Sequence, residues 1–129
     1  MKAQCIKLAS VTGAGKIYFP KQRVRWRVLS AFALFATDAT VADRVPSLRV
    51  ASSDGAVVGL FHPSVAVSAS SSVSLTWARG VETAAITGNV LTISLPDMWF
   101  DPTWSVWITG GIVTDAFDAV SAVIQLSNE

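Results

Sequence analysis

The sequence predicts an all-β fold, an antiparallel, jelly-roll-like sandwich of about eight or nine strands. Apolar residues recur with period two far more often than with the 3.6-residue period of a helix. Turn-forming residues divide the chain into segments of roughly 8–15 residues, which is the spacing typical of a sandwich or barrel. The 129 residues contain no linker and no internal repeat, so one domain, residues 1–129, is predicted.

The amino-terminal segment predicts two strands. Residues 2–11 form the first, and Thr12-Gly13-Ala14-Gly15 is a turn because glycine reaches positive φ without a steric penalty. Residues 16–19 form a short second strand. Pro20 ends it because proline has no N–H to donate to a ladder.

Residues 23–37 are the clearest strand signal. The first half alternates apolar residues with arginines, and only a strand places the two sets on opposite faces. These residues are Val24, Trp26 and Val28 on one face and Arg23, Arg25 and Arg27 on the other. From Leu29 onward both faces are apolar, with Phe32 and Leu34 on the second face, which predicts that the strand enters a region covered on both sides.

The remaining strands follow from the same alternation between turns. Residues 48–52 and 56–61 flank Ser53-Asp54-Gly55, and Asp-Gly between apolar runs is a strong hairpin signal. Residues 65–72 fit either an edge strand or an ordered loop. Further strands are predicted at residues 73–78, 90–95, 104–109 and 118–127.

The composition indicates a surface that binds other proteins. Hydrophobic residues make up 51% of the chain and charged residues 15%, against about 25% charged in average soluble domains. Uncovered apolar surface usually marks an interface, so a homo-oligomer, dimer or trimer, is also predicted. A membrane span is not predicted, because no strongly apolar run of about 18 residues occurs. The first residues also lack the pattern of a secretory leader.

The charges are segregated along the chain. Residues 1–50 carry nine basic and two acidic residues, a balance of +7, whereas residues 51–129 carry one basic and seven acidic residues, a balance of −6. Such asymmetry can steer association. The alternative is that folding interleaves the two halves and spreads the charges evenly.

The residue types of common catalytic sites are scarce. Thr12-Gly13-Ala14-Gly15-Lys16 looks like a phosphate loop, but Ser10 replaces its first glycine and Ile17 its final hydroxyl residue. His62 is the single histidine and Cys5 the single cysteine, which excludes a multi-histidine metal site, a cysteine zinc cage and an internal disulfide. Cys5 is expected to be a small buried side chain in a protein that folds in a reducing cytoplasm.

Four aspartates could instead form a carboxylate pair or a calcium loop. They are Asp97, Asp101, Asp115 and Asp118. Their spacing does not fit a calcium loop, and Asp97-Met98 and Asp101-Pro102 are interpreted as turn residues whose side chains bond their own backbone. The sequence therefore predicts no enzyme, no cofactor and no metal.

Two sets of residues are candidates for an interface. The first is the stripe of Arg23, Arg25 and Arg27, whose positive charges repel one another unless negative groups neutralise them. These groups are predicted to be acidic residues of this chain, acidic residues of a neighbouring subunit, or a nucleic acid. A pI near 7.9 disfavours nucleic acid. The second set is aromatic, and tryptophan is enriched at binding hot spots.

The aromatic set is divided by its strand pattern. Trp104 shares a wholly apolar strand face and is expected in the core, whereas Trp107 lies between Ser105 and Thr109 and is expected to be partly exposed. Trp99 and Phe100 lie in a proline-bracketed loop and are also expected at the surface. Core packing and the stacking of sugars are the alternatives for this set.

A wider pattern resembles a family. Trp26-Arg27 leads through Thr37-Asp38-Ala39 to Arg44 and then to the Asp54-Gly55 hairpin, followed later by Leu95-Pro96, a strand with tryptophan, and a last strand near Asp118. Over about residues 23–127 this resembles the small β-sandwich virion proteins of tailed bacteriophages.

The resemblance implies a capsid decoration or cement protein, located on the capsid surface of the virion after folding in the host cytoplasm. Its partner would be the major capsid protein or another virion protein. The alternatives are a head–tail or tail accessory protein and a carbohydrate-binding or receptor-binding module. The resemblance carries over no binding residue by position, so Arg23, Arg25, Arg27, Trp99, Phe100 and Trp107 are nominated on physical grounds.

Overall fold

The computed structural model describes residues 2–12, 16–39, 43–109 and 119–128. They form ten strands and no helix. The strands are β1 (Lys2–Thr12), β2 (Lys16–Tyr18), β3 (Trp26–Ala36), β4 (Ser47–Ala51), β5 (Val57–Phe61), β6 (Ser72–Ala78), β7 (Ala84–Thr87), β8 (Val90–Ser94), β9 (Ser105–Thr109) and β10 (Ala119–Asn128).

The strands form a six-stranded sheet in the order β1-β10-β3-β6-β8-β7 and a four-stranded sheet in the order β2-β9-β4-β5. Without β7 and β8, the two sheets have the orders β1-β10-β3-β6 and β2-β9-β4-β5, which is the jelly-roll arrangement of eight strands. The pair β7 and β8 extends the larger sheet, and β8 runs parallel to β6 whereas the other pairs are antiparallel. The predicted all-β, jelly-roll-like sandwich is confirmed.

The core lies between the inner faces of the two sheets. In the larger sheet, the alternate residues Val73, Leu75 and Trp77 of β6 are all at most 4% exposed. In the smaller sheet, Leu48 and Val50 of β4 are fully buried. The Trp77 indole Nε1–H donates to the Phe61 carbonyl at 3.0 Å, so a buried polar atom is satisfied by the opposite sheet.

A β-bulge at Leu29 reverses the faces of β3. Along β10, Gln125 pairs with Ser30 and the next residue, Leu126, pairs with Val28, so Leu29 is the additional residue. Before the bulge Trp26 and Val28 are buried, and after it the inward residues have odd numbers. These inward residues are Ala31, Ala33 and Phe35. The apolar character of both faces after Leu29 therefore does not mean that both are covered, and that prediction is wrong.

The connection between β3 and β4 is held by a buried ion pair. Arg44 is 0% exposed, and its Nη2 lies 2.8 Å from Asp38 Oδ1. The backbone of Arg44 also exchanges two hydrogen bonds with Val67. This bridge orders residues 65–71 as a loop that leads into β6, in agreement with one of the two alternatives that the sequence predicts.

Candidate protein-protein interface

The arginine stripe is not one strand face. β3 begins at Trp26, and the chain bends at Arg23 and Val24, so Arg23 and Arg25 precede the strand and only Arg27 belongs to it. Arg23 and Arg25 are exposed and Arg27 is half-buried. The predicted strand over residues 23–37 therefore starts three residues too early.

Asp97 and Trp99 hold the last arginine of the stripe in place. Asp97 Oδ1 lies 2.9 Å from Arg27 Nη1 and 3.1 Å from Arg79 Nη1. The Arg27 guanidinium lies 4.7 Å from the centre of the Trp99 ring, and that of Arg25 lies 5.6 Å from it. Such cation–π contacts stabilise by about 0.5–1 kcal/mol at exposed sites. Of the predicted partners for the stripe, an acid within this chain is the one that meets Arg27.

The aromatic loop is divided between surface and core. Trp99 is half-buried, but Phe100 is 4% exposed and belongs to the core, where its ring meets Trp26 edge-on at 5.1 Å between centroids. Backbone hydrogen bonds in both directions between Trp26 and Phe100 draw this side chain inward. The prediction of a partly exposed Phe100 is therefore wrong.

Trp104 is more exposed than expected, and Trp107 is more buried. β9 begins at Ser105, so Trp104 precedes the strand and is half-buried, packed at the border of the core. Trp107 points to the outer face of the four-stranded sheet, yet it is only 7% exposed. The Lys16 ammonium lies 5.0 Å from its ring centre and the Tyr18 ring 5.7 Å from it, so side chains of the adjacent strand cover it. The expected partial exposure of Trp107 is therefore wrong, whereas Trp104 packs against the core as expected but is only half-buried.

The outer face of the six-stranded sheet carries an apolar patch. Phe32, Leu34 and Val123, which we call the outer patch, are 42%, 51% and 37% exposed. Val123 faces Phe32 across the β10–β3 pair, so the patch spans two central strands. A shallow cavity of about 220 Å³ lies on it, with Lys7 and Ser121 among its lining residues.

The outer face of the four-stranded sheet is also partly apolar, but it is basic. Tyr18, Val57, Val58 and Leu60 are 45–53% exposed. None of the ten strands contains an aspartate or glutamate. In the part of the chain described here, all acids therefore lie in connections between strands, whereas Lys16 and Arg49 lie on this sheet.

Metal ligands, membrane-spanning helices and a reactive thiol are the other features that bear on function. Within residues 2–12, 16–39, 43–109 and 119–128, no group of three or more potential metal ligands occurs, and no helix long and apolar enough to cross a membrane is present. Cys5 is exposed, contrary to the prediction, because it lies on the outward side of β1. Gly13, Ala14 and Gly15 of the phosphate-loop look-alike lie outside the described residues, as do Asp115 and Asp118.

No protein-family model, curated protein or solved structure was found to match the chain. The fold and the outer surfaces of the two sheets therefore carry the case for a function.

The outer patch was missed at the sequence level. Its signal is present, since Phe32 and Leu34 alternate with the core residues of the same strand. That signal was interpreted as burial on both faces because the bulge at Leu29 is not visible in the sequence.

Proposed function

We propose that this chain is a structural protein that binds other protein subunits, and specifically that it decorates and stabilises the capsid shell of a tailed bacteriophage. The single observation that supports this most is the outer patch, three exposed apolar side chains that adjoin one another on two paired strands of the larger sheet. Exposed apolar side chains that adjoin one another on a sheet face are a surface on which a protein partner can pack.

The fold and the charge distribution are consistent with the proposal. Jelly rolls serve as viral capsid domains and as lectins, so the fold admits the role without proving it. A decoration protein needs a rigid scaffold, an apolar contact and complementary charges, and it needs no active site. The two outer sheet faces, one apolar and one basic, supply two contacts on opposite sides of the sandwich.

Co-sedimentation with phage capsids that lack the protein tests the proposal. We expect saturable, stoichiometric binding at low salt that persists in part at about 0.5 M salt, where exposed charges are screened but apolar contacts are not. Absence of binding at both salt concentrations would refute the capsid role.

A carbohydrate-binding role is the second candidate, and Tyr18 favours it. Its ring is 53% exposed beside Trp107 on the outer face of the four-stranded sheet, where a sugar ring could stack. Trp107 itself is too buried to offer a face. Binding of glycans that Tyr18→Ala abolishes would support this candidate over the first.

A further inference from the structure

A small cavity on the outer face of the four-stranded sheet has the composition of a binding site. It encloses about 190 Å³ and is lined by Val45, Ser47, Arg49, Leu60 and His62. Pockets for drug-sized ligands are larger, about 300–1,000 Å³. The cavity therefore suits one side chain of a partner, and both apolar and polar side chains line it.

Arg49 is the polar group that defines its ligand. Its Nε–H donates to Ser47 Oγ at 3.0 Å, and Ser47 is 1% exposed, so the guanidinium is held from a fixed point. Arg27, Arg44 and Arg79 each have an aspartate within 3.1 Å. Among the residues that the structure describes, no carboxylate pairs with Arg49.

The surroundings of Arg49 favour an anion. The strands of this sheet contain two charged residues, Lys16 and Arg49, and both are basic. His62 lines the same cavity, and its Nδ1–H donates to the Pro63 carbonyl at 2.8 Å, so the group in this cavity that attracts an anion is the Arg49 guanidinium. Arginine binds carboxylates through two parallel hydrogen bonds, and a guanidinium already held in place loses less entropy on binding.

We propose that this cavity receives an acidic side chain of a partner protein. The carboxylate lies on the two Nη groups of Arg49, and its aliphatic carbons, with an adjoining aliphatic residue, lie against Val45 and Leu60. The inference deepens the proposed function and rests on it for the identity of the partner, which would be a capsid subunit. The protein would then bridge two neighbours, one at the outer patch and one at Arg49.

The test uses a capped tripeptide with glutamate between two leucines and its glutamine counterpart. Binding is followed by NMR shifts of the Arg49 Nε–H and the Leu60 methyl groups. We expect the glutamate peptide to shift both signals and to bind about tenfold more tightly than the glutamine peptide, the factor that roughly one charge-assisted interaction supplies. Arg49→Gln should remove that difference, and Arg49→Lys should restore only part of it.

Lys21→Gln is the control, because it removes an exposed basic residue that lies outside the strands of this sheet and should leave binding unchanged. Equal binding of the two peptides, no shift at Arg49 with either, or an unchanged preference in Arg49→Gln would overturn the inference. The capsid experiment is independent. Peptide binding without capsid binding would refute the capsid role and support the carboxylate site. Capsid binding without peptide binding would support the capsid role and refute the carboxylate site.

Discussion

Arg44 is a charged residue that is fully buried in the connection between β3 and β4. A buried charge is tolerated only when it is paired, and Asp38 supplies the pair at 2.8 Å. The backbone carbonyl of the same aspartate accepts a hydrogen bond from the Ser70 amide, so Asp38 also ties the connection to the loop before β6. Arg44 is thus a structural residue.

Replacing Arg44 by alanine should therefore destabilise the fold strongly. Removing one partner of a buried pair leaves the other uncompensated, and we expect a loss of about 3–5 kcal/mol in the free energy of unfolding. Chemical denaturation measures it. Arg79→Ala is the matched control, because Arg79 and Asp97 form an exposed pair worth at most about 1 kcal/mol. Equal losses in the two variants would contradict this interpretation.

Asp101 has the turn role that its sequence context predicted. The Thr103 hydroxyl and then the Thr103 amide donate to its carboxylate, at 2.7 and 2.9 Å, and these bonds lower the pKa of Asp101 below its usual value. The turn leads into β9 through a backbone bond from Trp104 to the Asp101 carbonyl.

The pH dependence of this turn follows from the lowered pKa of Asp101. Because the native state favours the charged carboxylate, its stabilising contribution is complete at neutral pH and is lost as the pH falls through the lowered pKa. Thr103→Val should raise the pKa of Asp101 toward its usual value, which an NMR pH titration of the carboxyl carbon measures. An unchanged pKa in that variant would show that the hydrogen bond from the Thr103 hydroxyl does not lower it.

At the scale of single residues, the sequence predicts local hydrogen bonding better than it predicts the solvent exposure of a side chain. The turn role of Asp101 depends on local bonds and could be predicted. The burial of Trp107 depends on Lys16 and Tyr18, which are distant in sequence and become neighbours only when β2 pairs with β9. Phe100 is buried for the same kind of reason, since Trp26 reaches it from another part of the chain.

At the scale of elements, the β4–β5 hairpin shows what local signals can predict. Asp54-Gly55 stands between the two strands as expected, and Gly55 has a φ of +90°, which other residues rarely adopt. Asp54 accepts hydrogen bonds from the Ser52 hydroxyl and the Ala56 amide, and these lower its pKa. The position of the hairpin was therefore predictable from its turn residues alone.

Gly55→Ala should weaken this hairpin. A side chain at positive φ costs about 1–2 kcal/mol, even though nothing lies within 4 Å of the added methyl group. Gly88→Ala provides the comparison, because it also has open space and its φ is not in the left-handed region. We expect a loss for Gly55→Ala and little change for Gly88→Ala in thermal unfolding. A similar melting temperature in both variants would contradict the backbone explanation.

β3 shows what local signals cannot predict. Its pattern is regular on each side of Leu29, but the face that is buried changes at the bulge, which only the pairing with β10 reveals. β7 was not predicted as a strand. It is a four-residue edge strand with a register shift against β8, and three of its residues are exposed, so it lacks an alternating apolar pattern.

At the scale of the whole molecule, the sandwich separates its charges by location rather than by half of the chain. The described acids all lie in connections, whereas basic residues also lie on the strand faces. Folding brings Arg27 of the basic half to Asp97 of the acidic half, so part of the asymmetry in sequence is cancelled within the chain. Two features of the described residues then stand out. Arg49 lies in a cavity on one outer face without a carboxylate partner, and the outer patch exposes apolar side chains on the other.

A decoration protein with this arrangement should stabilise its shell. Bridging two subunits opposes their separation, so shells that carry the protein should resist heating or chelation better than shells that lack it. Light scattering during a temperature ramp measures the release of the shell contents. Identical transition temperatures with and without bound protein would show that binding does not link neighbouring subunits.

The outer patch is the central claim, and the binding of Leu34→Lys to capsids tests it most directly. Leu34 is 51% exposed, so lysine should change the stability of the free protein by no more than about 0.5 kcal/mol. Ile86→Lys is the matched control, since Ile86 is 63% exposed on β7, three strands away in the same sheet. We predict that Leu34→Lys lowers capsid affinity at least about tenfold, because a buried lysine would have no partner in the patch, and that Ile86→Lys binds like the unmodified protein. Binding of Leu34→Lys with unchanged affinity, or an equal loss in both variants, would contradict the account.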